Sequence, residues 1–258
     1  MEEIKLPFTE HLADLRKRII ISLVFVVIGF AVCFNYSEDI FRALTFPLRY
    51  GISITITSPF IQLIEKKATH NTSLVFLAPA EAFWMHMKVS IIAGVVLSLP
   101  VIFFQFWKFI SPGLLHKEKK YVVPFVIITT TFFLIGVAYC YFLVLPFAMG
   151  FLLTYKTESM VPMISVEKYV DFCLKFLLAF GAIFELPILI VFFTRIGIVS
   201  PKTLAKHRKY AILIAFIAAA ILTPTPDVFN QTLMAVPMIV LYEIGLLVSR
   251  IFVRKKSA

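Results

Sequence analysis

Six apolar stretches recur along the chain, at about 19–36, 83–110, 122–145, 168–194, 210–223 and 228–249, separated by proline or runs of charge. A helix needs about 20 apolar residues to cross roughly 30 Å of hydrocarbon, so this pattern predicts a bundle of six spanning helices. The fifth stretch is short. From Tyr210 to Leu222 it offers 13 residues, about 20 Å at 1.5 Å per residue, so it must thin the bilayer or snorkel at its ends. The second and fourth are long enough to tilt or bend, and Pro100 and Pro187 mark places to do so. The first run, 19–34, has the length of a signal peptide. It is followed by Asn35-Tyr36-Ser37-Glu38, which is no small-residue cleavage site, and five more apolar segments come later; it is expected to stay as a first span.

Composition agrees. Of 258 residues, 60% are apolar and 16% charged, with a mean hydropathy of +0.92, against about 45–50% and about 25% in a soluble protein. That excludes a soluble enzyme, a disordered tail and a secreted disulfide scaffold, and leaves an integral membrane protein. Cys33, Cys140 and Cys173 each fall inside an apolar run with no metal-site spacing, so they read as small hydrophobes in packed helices.

The net charge of +10 is a topology signal rather than a sign of nucleic acid. Seventeen Lys and Arg fall in the segments on one side of the spans, including Lys5, Arg16, Lys17, Arg18, Lys108, Lys119, Lys206 and Arg254. Six fall in the loops opposite: Arg42, Arg49, Lys66, Lys67, Lys156 and Lys168. The bias places both termini in the cytoplasm. The longest non-spanning piece, 37–82, is then outside, and residues 58–67 within it read as a short amphipathic helix in the outer interface. A second outer loop is expected at about 146–167, and a third at 223–227. The chain is a single membrane domain over 1–258, with no metal or cofactor motif.

The informative residues are acids in unusual places. In Phe8-Thr9-Glu10-His11-Leu12-Ala13-Asp14-Leu15-Arg16-Lys17-Arg18, Thr9 can cap a helix, and Phe8, Leu12, Leu15 and Ile19 line one face. Asp14 stands four residues before Arg18, so an i,i+4 pair in a membrane anchor explains it as simply as a binding role does. Glu118 is the only acid in the loop from Phe109 to Lys120, among lysines that can neutralise it. Glu185 lies ten residues before Arg195, about 15 Å from the cytoplasmic end. A charged carboxylate at that depth costs several kcal/mol, so it should be protonated or hydrogen-bonded. Asp227 can cap the sixth helix, Gln231 lies one turn deeper, and Glu243 is close enough to the inner surface to snorkel.

In this order, the motifs His11-Leu12-Ala13-Asp14-Leu15-Arg16-Lys17-Arg18, Gln105-Phe106-Trp107-Lys108-Phe109-Ile110-Ser111-Pro112-Gly113-Leu114, Ala179-Phe180-Gly181 through Pro187, and Thr223-Pro224-Thr225-Pro226-Asp227-Val228-Phe229-Asn230-Gln231 resemble one family. It is TatC, the polytopic subunit of the twin-arginine protein translocase, and the resemblance runs from about Phe8 to Arg254. It implies an all-α polytopic fold of six helices, both termini inside, in a concave bundle with short fifth and sixth helices. The function implied is that of a receptor for twin-arginine signal peptides, exporting folded proteins with the proton-motive force across a bacterial inner membrane. Asp14, commonly Glu in this family, and Glu118 match the carboxylates that bind the arginine pair. Arg16 and Arg18 belong to the framework of that site, and Phe109, Pro112 and Leu114 shape its loop. Pro47 matches a proline of the outer loop, and Glu185 a polar residue on the concave face. Thr223, Thr225, Asp227 and Gln231 match the region that packs the single-span partners TatA and TatB, although some relatives have one residue fewer in that turn. Self-association in the receptor complex and contact with lipid are also implied.

Elementary chemistry is consistent with that role, because two adjacent guanidinium groups are well matched by two separate carboxylates. A six-span secondary transporter is the alternative and would need repeat symmetry and a broken-helix site, neither visible in the sequence. An intramembrane enzyme would need a nucleophile–base pair or paired acids within the spans, where the acids stand singly.

Overall fold

The computed structural model describes residues 8–54, 61–65, 74–110, 122–154, 163–223 and 227–254. Among the described residues, five helical stretches are long and apolar enough to cross a membrane: Leu12–Asn35, Glu81–Ile110, Val122–Leu153, Val166–Arg195 and Val228–Ile251. In chain order the elements are α1 (Phe8–Asn35), α2 (Ser37–Leu44), α3 (Phe46–Arg49), β1 (Tyr50–Ile54), β2 (Ile61–Glu65), β3 (Leu74–Val75) and α4 (Glu81–Ile110). There follow α5 (Val122–Tyr139), a π-helical stretch (Cys140–Val144), α6 (Leu145–Thr154), β4 (Ile164–Ser165), α7 (Val166–Phe184), α8 (Leu186–Arg195), α9 (Pro201–Lys206), α10 (Arg208–Leu222) and α11 (Val228–Arg254). The fifth apolar stretch is α10, whose 15 residues rise about 22 Å.

The residues fall into two compact units. The first comprises 1–41 and 86–131, and its packing turns on two glycines. A Cβ on Gly94 would lie 2.5 Å from Phe30 N, and one on Gly29 would lie 2.7 Å from Gly94 O. Backbone therefore meets backbone where α1 crosses α4, the close approach that small residues permit in membranes. One turn along, Ser98 Oγ donates to Phe25 O at 2.8 Å. Toward the other end of α4, buried Trp107 stacks on Phe125 with ring centroids 4.8 Å apart.

The second unit comprises 42–85 and 132–258. Its core holds Val144, Leu145, Tyr169, Phe176, Phe180, Met234 and Leu246, all nearly inaccessible. Two tyrosines satisfy carbonyls that the end of α2 leaves without helical partners. Tyr169 Oη donates to Leu44 O at 2.7 Å and Tyr141 Oη to Ala43 O at 2.6 Å. Pro47, in α3, is fully buried beside them in sequence.

Four expectations need correction. Within 58–67, residues Ile61–Glu65 form β2, paired antiparallel with β1 from Tyr50↔Glu65 to Ile54↔Ile61, and the rest of that segment lies outside the described residues. Five residues of mixed polarity fit either period, and backbone pairing with β1 decides for the strand. The amphipathic helix of this region is instead α2, with Glu38 and Asp39 in its first turn and Arg42 in its last. The third span does not stop at 145. The π-helical turn lets the helix continue as α6: Leu145 N bonds Cys140 O, five residues back, and the widened turn carries the chain past Pro146, which has no N–H to place. The outer loop expected at 146–167 is correspondingly shorter, since α6 runs to Thr154. Finally, the sixth helix is not short: α11 has 27 residues, and its apolar sequence continues past Ser249, whose Oγ bonds Leu246 O within the helix. Besides the helices, the described residues hold two two-stranded sheets, β1–β2 and the parallel pair β3–β4.

Candidate functional site

Asp14, Arg16 and Arg18 lie on α1, and Phe109 near the end of α4, all within the first unit. Asp14 and Arg18 meet as their spacing requires: Arg18 Nε donates to Asp14 Oδ2 at 2.7 Å. The pair is unequally exposed, Arg18 at 13% and Asp14 at 33%. A carboxylate offers about four acceptor sites, so one bond to Arg18 leaves Asp14 capacity for a second guanidinium. Arg16 is exposed. Pro112, Leu114 and Glu118 lie outside the described residues, as does Thr225.

Glu185 sits where the fourth span breaks into α7 and α8. The Pro187 ring would collide with the Ile183 carbonyl in a continuous helix, and the chain steps aside there: Glu185 N bonds Ala182 O at 3.1 Å, and α8 restarts at Leu186. The carboxyl atom Oε1 is buried and meets no hydrogen-bond partner among the described residues. An unsatisfied buried oxygen costs about 1–3 kcal/mol, so this position carries a cost that packing alone does not require.

The turn before α11 is better satisfied. Asp227 Oδ1 accepts from Asn230 N at 2.7 Å, and its Oδ2 from Asn230 Nδ2 at 2.9 Å, an N-cap of the kind its position suggests. Gln231 Nε2 donates to Phe216 O at 3.1 Å, tying α11 to α10. Thr223 is buried and bonds Ala219 O at 2.8 Å. Glu243, read as near enough to the inner surface to snorkel, pairs with Arg208 at 2.7 Å.

Glu81 had no place in the sequence reading. It opens α4 and is only 7% exposed; its Oε2 accepts from Ser165 Oγ at 3.3 Å. Ser165 also caps α7 through Lys168 N. In sequence, an acid at the edge of an apolar run looks like an ordinary interfacial residue, and no local spacing announces a partner 84 positions away.

These apolar helices define a polytopic helical membrane protein. The TatC family model, "Sec-independent protein translocase protein (TatC)", matches residues 10–237. The chain belongs to the TatC family, whose members are protein translocase components rather than enzymes. A Sec-independent protein translocase protein TatC of Desulforapulum autotrophicum is 41% identical over 257 residues, covering 100% of this chain and 89% of its own. That of Aquifex aeolicus is 36% identical, covering 98% of each chain. A crystal structure titled Twin Arginine Translocase Receptor TatC aligns at a TM-score of 0.78 and 35% identity, over 93% of this chain and 98% of that one.

Proposed function

We propose that this chain is the signal-peptide receptor and core subunit of a twin-arginine translocase in a bacterial cytoplasmic membrane, exporting folded proteins at the expense of the proton-motive force. The likeness to a solved twin-arginine translocase receptor along 93% of the chain carries the reading. In it, α10 serves as a short sixth spanning element beside the five long ones, both termini are cytoplasmic, and the bundle is concave. Asp14 and Glu118 hold the two arginines of the signal peptide, with Arg16, Arg18, Phe109, Pro112 and Leu114 shaping the site. Pro47, Glu185, Thr223, Thr225, Asp227 and Gln231 serve transport and the docking of TatA and TatB, and copies of the chain self-associate in the receptor complex.

Cells lacking their own TatC provide the test. Expression of this chain with its partner subunits should restore export of a folded reporter behind a twin-arginine signal, and a cysteine at position 206 should resist an impermeant thiol reagent added outside. Failure of export with the protein inserted would oppose the receptor reading; labelling from outside would oppose the orientation.

Glu185 gives a sharper result. Its Oε1, without a hydrogen-bond partner among the described residues, suits a polar group from a partner helix, which would lose its hydrogen bond in Glu185→Leu. That variant should fold at least as well as wild type, because a desolvation cost is removed, yet lose partner crosslinking and export. Glu185→Gln keeps the hydrogen bonding and should retain both. Normal crosslinking and export in Glu185→Leu would show a purely structural side chain.

A further inference from the structure

We propose that the segment joining α8 to α10 is a binding site for the headgroup of an anionic phospholipid. From Arg195 to Tyr210 the chain carries Arg195, Lys202, Lys206, Arg208 and Lys209 and no acid. Lys202 and Lys206 stand four apart on α9, hence on one face, and both are exposed. Like charges at that spacing repel, so this face of α9 is self-opposed until an anion lies across it. Arg208 is answered differently, by Glu243 of α11 at 2.7 Å.

The cations are held on a framework. Ser200 caps α9 through Thr203 N at 3.0 Å, and Tyr242 Oη of α11 donates to Leu204 O at 2.9 Å. Tyr210, 50% exposed, marks the level of the interface, where tyrosine concentrates. His207 stacks on its ring, centroids 5.8 Å apart, and Lys209 Nζ lies 5.1 Å from the ring centroid.

Immediately beyond Tyr210, α10 exposes Ile212, Leu213, Ile214, Ile217 and Ile221. The helix is shorter than the hydrocarbon is thick, so lipids beside it bring their headgroups toward the helix ends. Ammonium groups thus stand at the end of a bare aliphatic face. An anionic glycerophospholipid fits both parts, its phosphate on the lysines and its acyl chains on the isoleucines. Inorganic phosphate fits only the first, and phosphatidylcholine brings a cation of its own. The inference requires a membrane-spanning chain and is independent of signal-peptide binding.

Native mass spectrometry of the purified full chain, released from detergent micelles containing phosphatidylglycerol and phosphatidylcholine, tests it. Wild type should retain phosphatidylglycerol preferentially, by about fivefold for each lysine engaged. The triple variant Lys202→Gln/Lys206→Gln/Lys209→Gln should lose the preference while keeping its melting temperature in phosphatidylcholine. The double variant Lys168→Gln/Lys175→Gln, which removes exposed cations of α7, should keep it. Should the triple variant not fold, Lys206→Gln alone must lower retention about fivefold. Undiminished phosphatidylglycerol retention in the folded triple variant would overturn the proposal. So would equal retention of the two lipids by wild type, or displacement of the lipid by inorganic phosphate.

Discussion

Replacing Glu118 by alanine is expected to abolish binding of a twin-arginine signal peptide while leaving the protein folded and inserted. Glu118 is the only acid in a lysine-rich stretch of sequence, so a guanidinium deprived of it has no equivalent acid nearby in sequence. Asp14→Ala should weaken binding by a smaller step, about 1–3 kcal/mol for one charge-assisted contact, or roughly 5- to 150-fold in Kd. The inequality follows from geometry. Asp14 already accepts a bond from Arg18 at 2.7 Å, so an incoming arginine shares that carboxylate, and Arg18 loses its own partner when Asp14 is removed. Titration of a labelled signal peptide into each reconstituted variant measures both effects. Wild-type affinity in both variants would remove the carboxylates from the recognition site.

Gly94→Leu is expected to disrupt the first unit altogether. Even a methyl group at this position would sit 2.5 Å from Phe30 N and 2.8 Å from Phe30 Cα, and helix backbones cannot yield as a flexible side chain can. Overpacking in a tight core costs about 1–3 kcal/mol for modest insertions, so Gly94→Ala should be measurably less stable and the leucine variant should fail to accumulate. Leu97→Ala, three residues on and 58% exposed, is the matched control and should melt within a few degrees of wild type. A leucine variant as stable as that control would show that α1 and α4 do not cross at this point.

How far the fold is legible depends on what each residue can announce locally. Apolar runs of about 20 residues leave few alternatives to a spanning helix, and the five long helices lie on such runs. Asp14–Arg18 and the Asp227 cap were legible because both partners lie within four residues. The corrections arise where local rules conflict. Pro146 reads as a stop, yet a π-helical turn just before it lets the third span run on to Thr154. Ile61–Glu65 is too short to distinguish two periods, and a strand 11 positions earlier settles it. Long-range pairs leave no trace in the sequence: Glu81 with Ser165, Gln231 with Phe216 O, and Glu243 with Arg208. For Glu185 the sequence supplied a depth and a proline two residues on, while an Oε1 without a hydrogen-bond partner among the described residues became visible only in three dimensions.

The central claim is that this chain reads the arginine pair of a signal peptide through separate carboxylates. Site-specific crosslinking in native membranes addresses it most directly, using a photoreactive signal peptide beside its twin arginines and the same peptide with twin lysines. The account predicts strong crosslinks to this chain for the arginine peptide, markedly fewer for the lysine peptide because lysine cannot pair bidentately, and none in Glu118→Ala. Equal crosslinking by both peptides, persisting in Glu118→Ala, would contradict it.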